Sequence, residues 1–233
     1  MIKVENTEVL GWEHAIRGMR NPMNSWARID SYQPHCLCCQ RDSDDEAREE
    51  HDITVLPYVL GENDHDLMMR LAQAGPEHAK YRRMIVVYAD VTAPLYWWKE
   101  YDTYKVGTVA NSCSTMHKIH SKQFDLSDFS HEHLTDVMVY MLRETVSTLN
   151  FWRALYNSAD SEARRKECWW QMIQLLPSSY NQRRTIMLNY EVLANIYYQR
   201  LNHKLDEWRE FCTWIEQLPY SELITGKEAE TDE

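Results

Sequence analysis

The segment Leu176–Arg200, LPSSYNQRRTIMLNYEVLANIYYQR, constrains the chain more than any other. Pro177 breaks what precedes it, and the spacing that follows predicts a helix over Arg184–Leu201. Asn189, Leu193, Ile196 and Arg200 lie at steps of 4, 3 and 4, which places them on one helical face. Leu193 and Ile196 make that face a buried one. An arginine on such a stripe must be paired, because an isolated buried guanidinium is very costly. A Glu elsewhere in the core would satisfy it, and so would the anionic group of a ligand; most partly buried arginines are structural. Asn189 and Asn195 read equally well as ordinary polar residues of a helix.

Composition narrows what surrounds this segment. The chain has 233 residues, 44% apolar and 26% charged, with nine Trp and fourteen Tyr against six Gly. That is the profile of a well-packed, mostly helical globular body. No apolar run approaches the roughly 20 residues needed to span a bilayer, and MIKVENTEVLGW lacks a signal-peptide pattern, so the expectation is a cytoplasmic protein with no membrane partner. The net charge of −11 comes largely from Asp42–Asp52 and from the tail at Lys227–Glu233, both expected to be solvated or disordered. Such a chain is a poor general nucleic-acid binder, because phosphate neutralisation dominates that affinity. A small nucleotide-like anion needs only a local cationic pocket. The six cysteines at 36, 38, 39, 113, 168 and 212 are expected as reduced thiols. The cluster His35–Cys39 has no second ligand pair at metal-site spacing, so it reads as a loop and no metal is expected.

Along the chain, Ile2–Leu10 alternates as a strand and Gly11–Met19 follows as a short helix. Residues 31–57 form a polar, acidic, cysteine-bearing loop. A helix opens near Glu62 with Asn63 as its cap and runs to Gly75. Met84–Ala89 is a buried strand, and Thr92-Ala93-Pro94 opens an aromatic helix with Pro in its first turn. Val106–His117 is small and polar, a loop. Helices are expected over His131–Tyr156, Ser161–Leu176 and Leu205–Gln217. The first of these is apolar at Leu134, Val137, Met141, Leu142, Val146 and Leu149. The fold class is α+β: one helix-rich domain over 1–226 with a small mixed sheet.

Three further groups of residues have chemical content. Lys99, Glu100 and Lys105 precede a hydroxyl-rich stretch at Asn111, Ser112, Cys113, Ser114 and Thr115, a density of donors able to cradle a phosphate. Glu77-His78 precedes the Met84 strand. Arg17 and Arg20 close the first helix, where basic residues are common for electrostatic reasons alone.

Taken in order, these pieces resemble the flavin-dependent thymidylate synthases. Leu176-Pro177 is followed, twelve residues after the proline, by Asn189, then by Leu193, Asn195 and Arg200, the family's spacing without a gap. By resemblance Asn189 and Asn195 line a flavin and Arg200 holds a nucleotide, with His78, Glu100, Lys105 and Ser114 on the nucleotide side. Arg17 resembles the arginine of the family's first helix. The resemblance implies FAD, with NADPH and a methylene-folate as co-substrates, and a homotetramer with sites built between subunits. It skips the Ser31–Pro57 region. The expected activity is FAD-dependent C5 methyl, or one-carbon, transfer to a pyrimidine deoxynucleotide such as dUMP.

The signature motif departs from the family pattern RHRxxSxNExSxRY. Asn111 and Ser114 are kept; Ser112 stands for the Glu and Met116 for the later Arg. A one-residue gap places Thr103 and Lys105 at the outer positions of RHR, and Glu100 replaces a preceding Gln. Lost arginines remove bidentate oxyanion recognition that a lysine does not replace in geometry. Glu for Gln turns a donor–acceptor into an acceptor and adds negative charge. Unless Arg17, Arg20, Arg183 or Arg184 supply cation, a nucleotide monophosphate should bind less well. Two alternatives follow: a non-catalytic protein that binds or sequesters a nucleotide or flavin, and an interaction protein anchored by Trp97, Trp98, Trp169 and Trp170.

Overall fold

The computed structural model describes residues 2–34 and 56–227. The His35–Cys39 cluster, the acidic run Asp42–Asp52 and the tail after Lys227 lie outside the described residues. Strand β1 (Lys3–Leu10) leads into α1 (Trp12–Arg20), as the alternation predicts. Gly11 joins them at φ 96°, where a Cβ would sit 2.1 Å from the Met84 carbonyl oxygen, so backbone passes against backbone at this corner. Helix α2 spans Glu62–Gln73 and is capped by Gly61; Asn63 is inside the helix rather than its cap, its backbone and side-chain N–H groups both donating to Asp30. A 3-10 turn over Ala79–Met84 precedes β2 (Val86–Pro94), which passes directly into α3 (Leu95–Tyr101). Two short elements follow, β3 (Val109–Ser112) and α4 (Thr115–Lys118), where the sequence predicts a loop. Helices α5 (Asp136–Ser158) and α6 (Glu162–Leu175) form a hairpin. The chain then enters β4 (Asn181–Asn189), α7 (Tyr190–Arg200), α8 (Asp206–Glu216) and α9 (Glu222–Thr225).

The helix expected from Arg184 is therefore half strand. Residues 181–189 pair along their whole length with β2, Val86 opposite Asn189 and Pro94 opposite Asn181. Nine-residue pairing satisfies backbone groups on both strands and overrides the helical propensity of Arg, Leu and Met, which is a weak force beside tertiary pairing. β3 joins the free edge of β4, giving the order β1-β2-β4-β3 with every pair antiparallel, where a mixed sheet was expected.

One face of the sheet is core. Val87, Ala89, Val91 and Ala93 of β2 and Ile186 and Leu188 of β4 are buried at the period of two that a strand imposes. Against them pack Trp97, Trp98 and Tyr101 of α3, Tyr190, Leu193, Ile196 and Tyr197 of α7, and Trp208, Phe211 and Ile215 of α8. Trp97 stands 4.7 Å from Trp208 and 5.3 Å from Tyr101, ring centre to ring centre. Trp97 and Trp98, at 0% and 1% exposure, are thus core residues and not surface anchors; Trp170 is exposed. A second, smaller core under the α5–α6 hairpin holds Phe129, Leu149 and Met172. Only Leu142 and Leu149 of the expected α5 stripe are buried, while Leu134, Val137 and Met141 are exposed.

The other face of the sheet carries a carboxylate hub. Asp90 on β2 accepts from Arg183 (2.7 Å), Asn6 (2.8 Å) and Thr185, joining three strands across the β1 bulge. The Thr185 hydroxyl, Asn6 and Arg183 hold the Asp90 carboxyl well below the usual carboxylate range.

Replacing Trp97 by Ala should lower unfolding free energy by roughly 3–5 kcal/mol, whereas Trp170→Ala should fall within about 0.5 kcal/mol of wild type, both read from urea denaturation. A depressed carboxyl stabilises above its unfolded pKa and loses that contribution as pH falls towards the folded value. The melting temperature should therefore drop as pH is lowered from about 5 to about 2, and Asp90→Asn should flatten that acid limb while lowering stability at neutral pH.

Candidate functional site

The antiparallel pairing of β2 with β4 starts α3 and α7 from opposite ends of the sheet, and their C-terminal turns meet. There the Arg200 Nη1 donates to Glu100 Oε2 at 2.9 Å. The same oxygen accepts from the indole N–H of Trp208 at 2.9 Å and lies 3.4 Å from His203 Nε2. His203 Nδ1 accepts from the Leu205 amide, so in the neutral ring the proton sits on Nε2 and faces Glu100. The guanidinium packs over Trp208 at 4.7 Å and over Tyr104 at 5.6 Å. Arg200 Nε donates to the Tyr104 hydroxyl, which donates to Gln199, whose amide in turn donates to Asn195. Arg200 keeps 19% of its side chain exposed and Glu100 36%, so this is a half-buried surface network.

Of the residues singled out in the sequence, the structure thus joins Glu100, Arg200 and Asn195. Lys105 is exposed in the turn after α3. Asn189 is the N-cap of α7, its side chain accepting from the Val192 amide. Ser114 caps α4 by accepting from the His117 amide and lines a hollow of about 470 Å³ with Lys118, Lys122 and Arg183. His78 lies apart from all of these. Sequence spacing gave no sign of His203 or Trp208, which reach Glu100 only because α8 folds back over α3.

His78 borders a cavity of about 1000 Å³ between α1, α2 and the Ala79–Met84 turn. Its polar wall is basic: Arg20, Arg28, Arg70, Lys80 and His78, against Glu77 alone; Met19, Leu67, Leu71 and Met84 supply an apolar side. Arg20 is 3% exposed, and its Nε donates to Asp64 at 2.6 Å. Asp64 also accepts from the Asp30 and Ser31 amides and from the Ser31 hydroxyl, so it is a saturated carboxylate. Arg20 Nη2 is buried without a hydrogen-bond partner among the described residues. A basic, partly apolar cavity of this size suits a ligand with a charged and an aromatic part.

The remaining candidate cations divide. Arg183 pairs with Asp90 and Arg184 with Asp102, each at 2.7 Å, and Arg184 also stacks over Trp98 at 4.2 Å. Arg17 is exposed beside a small hollow of about 270 Å³. Cys113, Cys168 and Cys212 are free thiols, and burial pushes the Cys212 thiol up to about 11, so it is inert as a nucleophile at neutral pH. No described helix is long and apolar enough to cross a membrane.

No protein-family model and no curated protein matches the chain. Solved structures do. A flavin-dependent thymidylate synthase from Helicobacter pylori complexed with FAD and dUMP superposes with a TM-score of 0.66 at 15% identity, covering 96% of this chain and 98% of that one. A second structure of the Helicobacter pylori enzyme with FAD and dUMP gives 0.62 at 14% identity over 97% and 98%. Near-complete coverage in both directions leaves no large part of either chain unaccounted for: this protein has the fold of the flavin-dependent thymidylate synthases.

Proposed function

We propose that this protein is a thymidylate synthase-like, nucleotide-binding flavoprotein. The observation that carries the reading is the basic cavity beside His78, set in a fold whose solved neighbours hold FAD and dUMP. Arg28, Arg70 and Lys80 would meet the phosphates of a bound dinucleotide, and the Met- and Leu-lined wall would take a ring system. FAD would supply hydride chemistry; the chain's own groups bind, orient and exclude water. The reaction that this arrangement would serve is FAD-dependent C5 methyl, or one-carbon, transfer to a pyrimidine deoxynucleotide such as dUMP, with NADPH and a methylene-folate as co-substrates. Asn189 and Asn195 are proposed on the cofactor side, and His78, Glu100, Lys105, Ser114 and Arg200 on the nucleotide side, groups that lie apart within one chain and would meet only between subunits. A homotetramer in the cytoplasm is part of the same proposal.

A second reading, binding without turnover, is favoured by one specific observation. Arg20, Arg183, Arg184 and Arg200 each already lie on a carboxylate of the chain, at 2.6–2.9 Å. None offers an uncompensated charge to a phosphate, and transition-state recognition by preorganised cations is what a transferase of this kind would need.

Protein incubated with FAD and passed through gel filtration should retain the flavin absorbance bands. Lys80→Ala should raise the FAD dissociation constant about tenfold, the size expected for one charge-assisted contact; a colourless protein defeats the flavoprotein reading. Supplying dUMP, methylene-folate and NADPH then separates the two readings, since a methylated product by mass spectrometry requires the transferase, and flavin retention with no product the binder.

A further inference from the structure

We propose that Glu100 is the resident anion of the Arg200 position and keeps a phosphomonoester from binding there. The inference deepens the nucleotide-binding reading and rests on it for the identity of the ligand. Two donors from two places in the chain converge on one Glu100 oxygen, the Arg200 guanidinium and the Trp208 indole, and the His203 ring nitrogen stands 3.4 Å from it. Arg200 is further held by the faces of Trp208 and Tyr104 and by the Tyr104 hydroxyl. A phosphate approaching this guanidinium would have to displace a carboxylate held by both donors, and would meet like charge in doing so. Both Glu100 and Arg200 are partly solvent-exposed, so the obstacle is charge and not access. The position therefore discriminates by charge. It accepts an uncharged group, such as a sugar hydroxyl or a pyrimidine carbonyl, and rejects a dianion, a specificity device built from one added charge.

The test is Glu100→Gln, which keeps the shape and one acceptor oxygen but removes the charge. The probe is inorganic phosphate, read through the Trp208 indole N–H resonance, which is assigned with Trp208→Phe and lies against both groups. The Glu100→Gln protein should bind phosphate at least about tenfold more tightly than wild type, as removal of a direct like-charge competitor predicts. Adding Arg200→Gln should abolish the gain. Equal affinity in wild type and variant, no binding in either, or a gain that survives the second substitution overturns the proposal. Glu100→Ala, which also clears the charge, serves in the same titration if the Gln variant does not fold. Flavin retention by the same preparations judges the broader reading separately: a phosphate gain in a colourless protein upholds Glu100's role and defeats the flavoprotein, and flavin retention without the gain does the reverse.

Discussion

The nine-residue antiparallel register between β2 and β4 is the constraint from which the rest of this structure follows. Each strand runs without a loop into a helix, β2 into α3 at Pro94 and β4 into α7 at Asn189. Because the strands are antiparallel, the two helices leave from opposite ends of the sheet and return across its buried face. Their lengths, seven and eleven residues, bring the last turns together. That is how Glu100 and Arg200, a hundred residues apart, share a hydrogen bond. Arg200 sits where the negative end of a helix dipole favours a cation; Glu100 sits at a similar end that disfavours an anion, and the Arg200 and Trp208 donors offset the cost.

The same sheet divides the molecule chemically. Its buried face is lined by small β-branched and alanine residues on β2, which leaves room for the indoles of Trp97, Trp98 and Trp208 to meet edge-on and tilted above it. Its open face carries Asp90 and its three donors. The cavity beside His78 lies at the margin, formed where the Arg20–Asp64 pair draws the end of α1 onto the start of α2. A buried pair is weak evidence for stability, but removing either partner would strand a charge. Its geometric effect is plainer: Asp64 also holds the backbone at Asp30 and Ser31, tying the segment after α1 to the start of α2.

The pairing of so many arginines with carboxylates bears on how the fold is used. A strongly acidic chain that retained free anion-binding arginines would show them uncompensated in a basic cleft. Here the basic character is concentrated instead in Arg28, Arg70, Lys80 and His78 around one cavity, while the arginines near the sheet are neutralised within the chain. The shared fold and the rearranged charge are independent facts, because packing depends on the apolar pattern and ligand choice on a few polar groups.

By itself the sequence determined the local elements with strong periodicity or clear punctuation: β1 and α1 around Gly11, the long α5 and α6, the break at Pro177, and the buried side of α7 at Leu193 and Ile196. It also required that Arg200 have a partner, since burial of a lone guanidinium is too costly. Tertiary structure decided the rest. Residues 181–189 became strand because β2 offered a full ladder of backbone partners, an interaction invisible to local pattern. The exposed four residues of β3 became strand for the same reason, at the edge of β4. Half of the apolar stripe of α5 stayed exposed because only Leu142, Val146 and Leu149 of it face the small core beneath the hairpin. Which partner Arg200 took was also a tertiary matter. Steps along one helix show that a charge faces inward; only the register of two strands and the return of α8 bring Glu100, Trp208 and His203 to meet it.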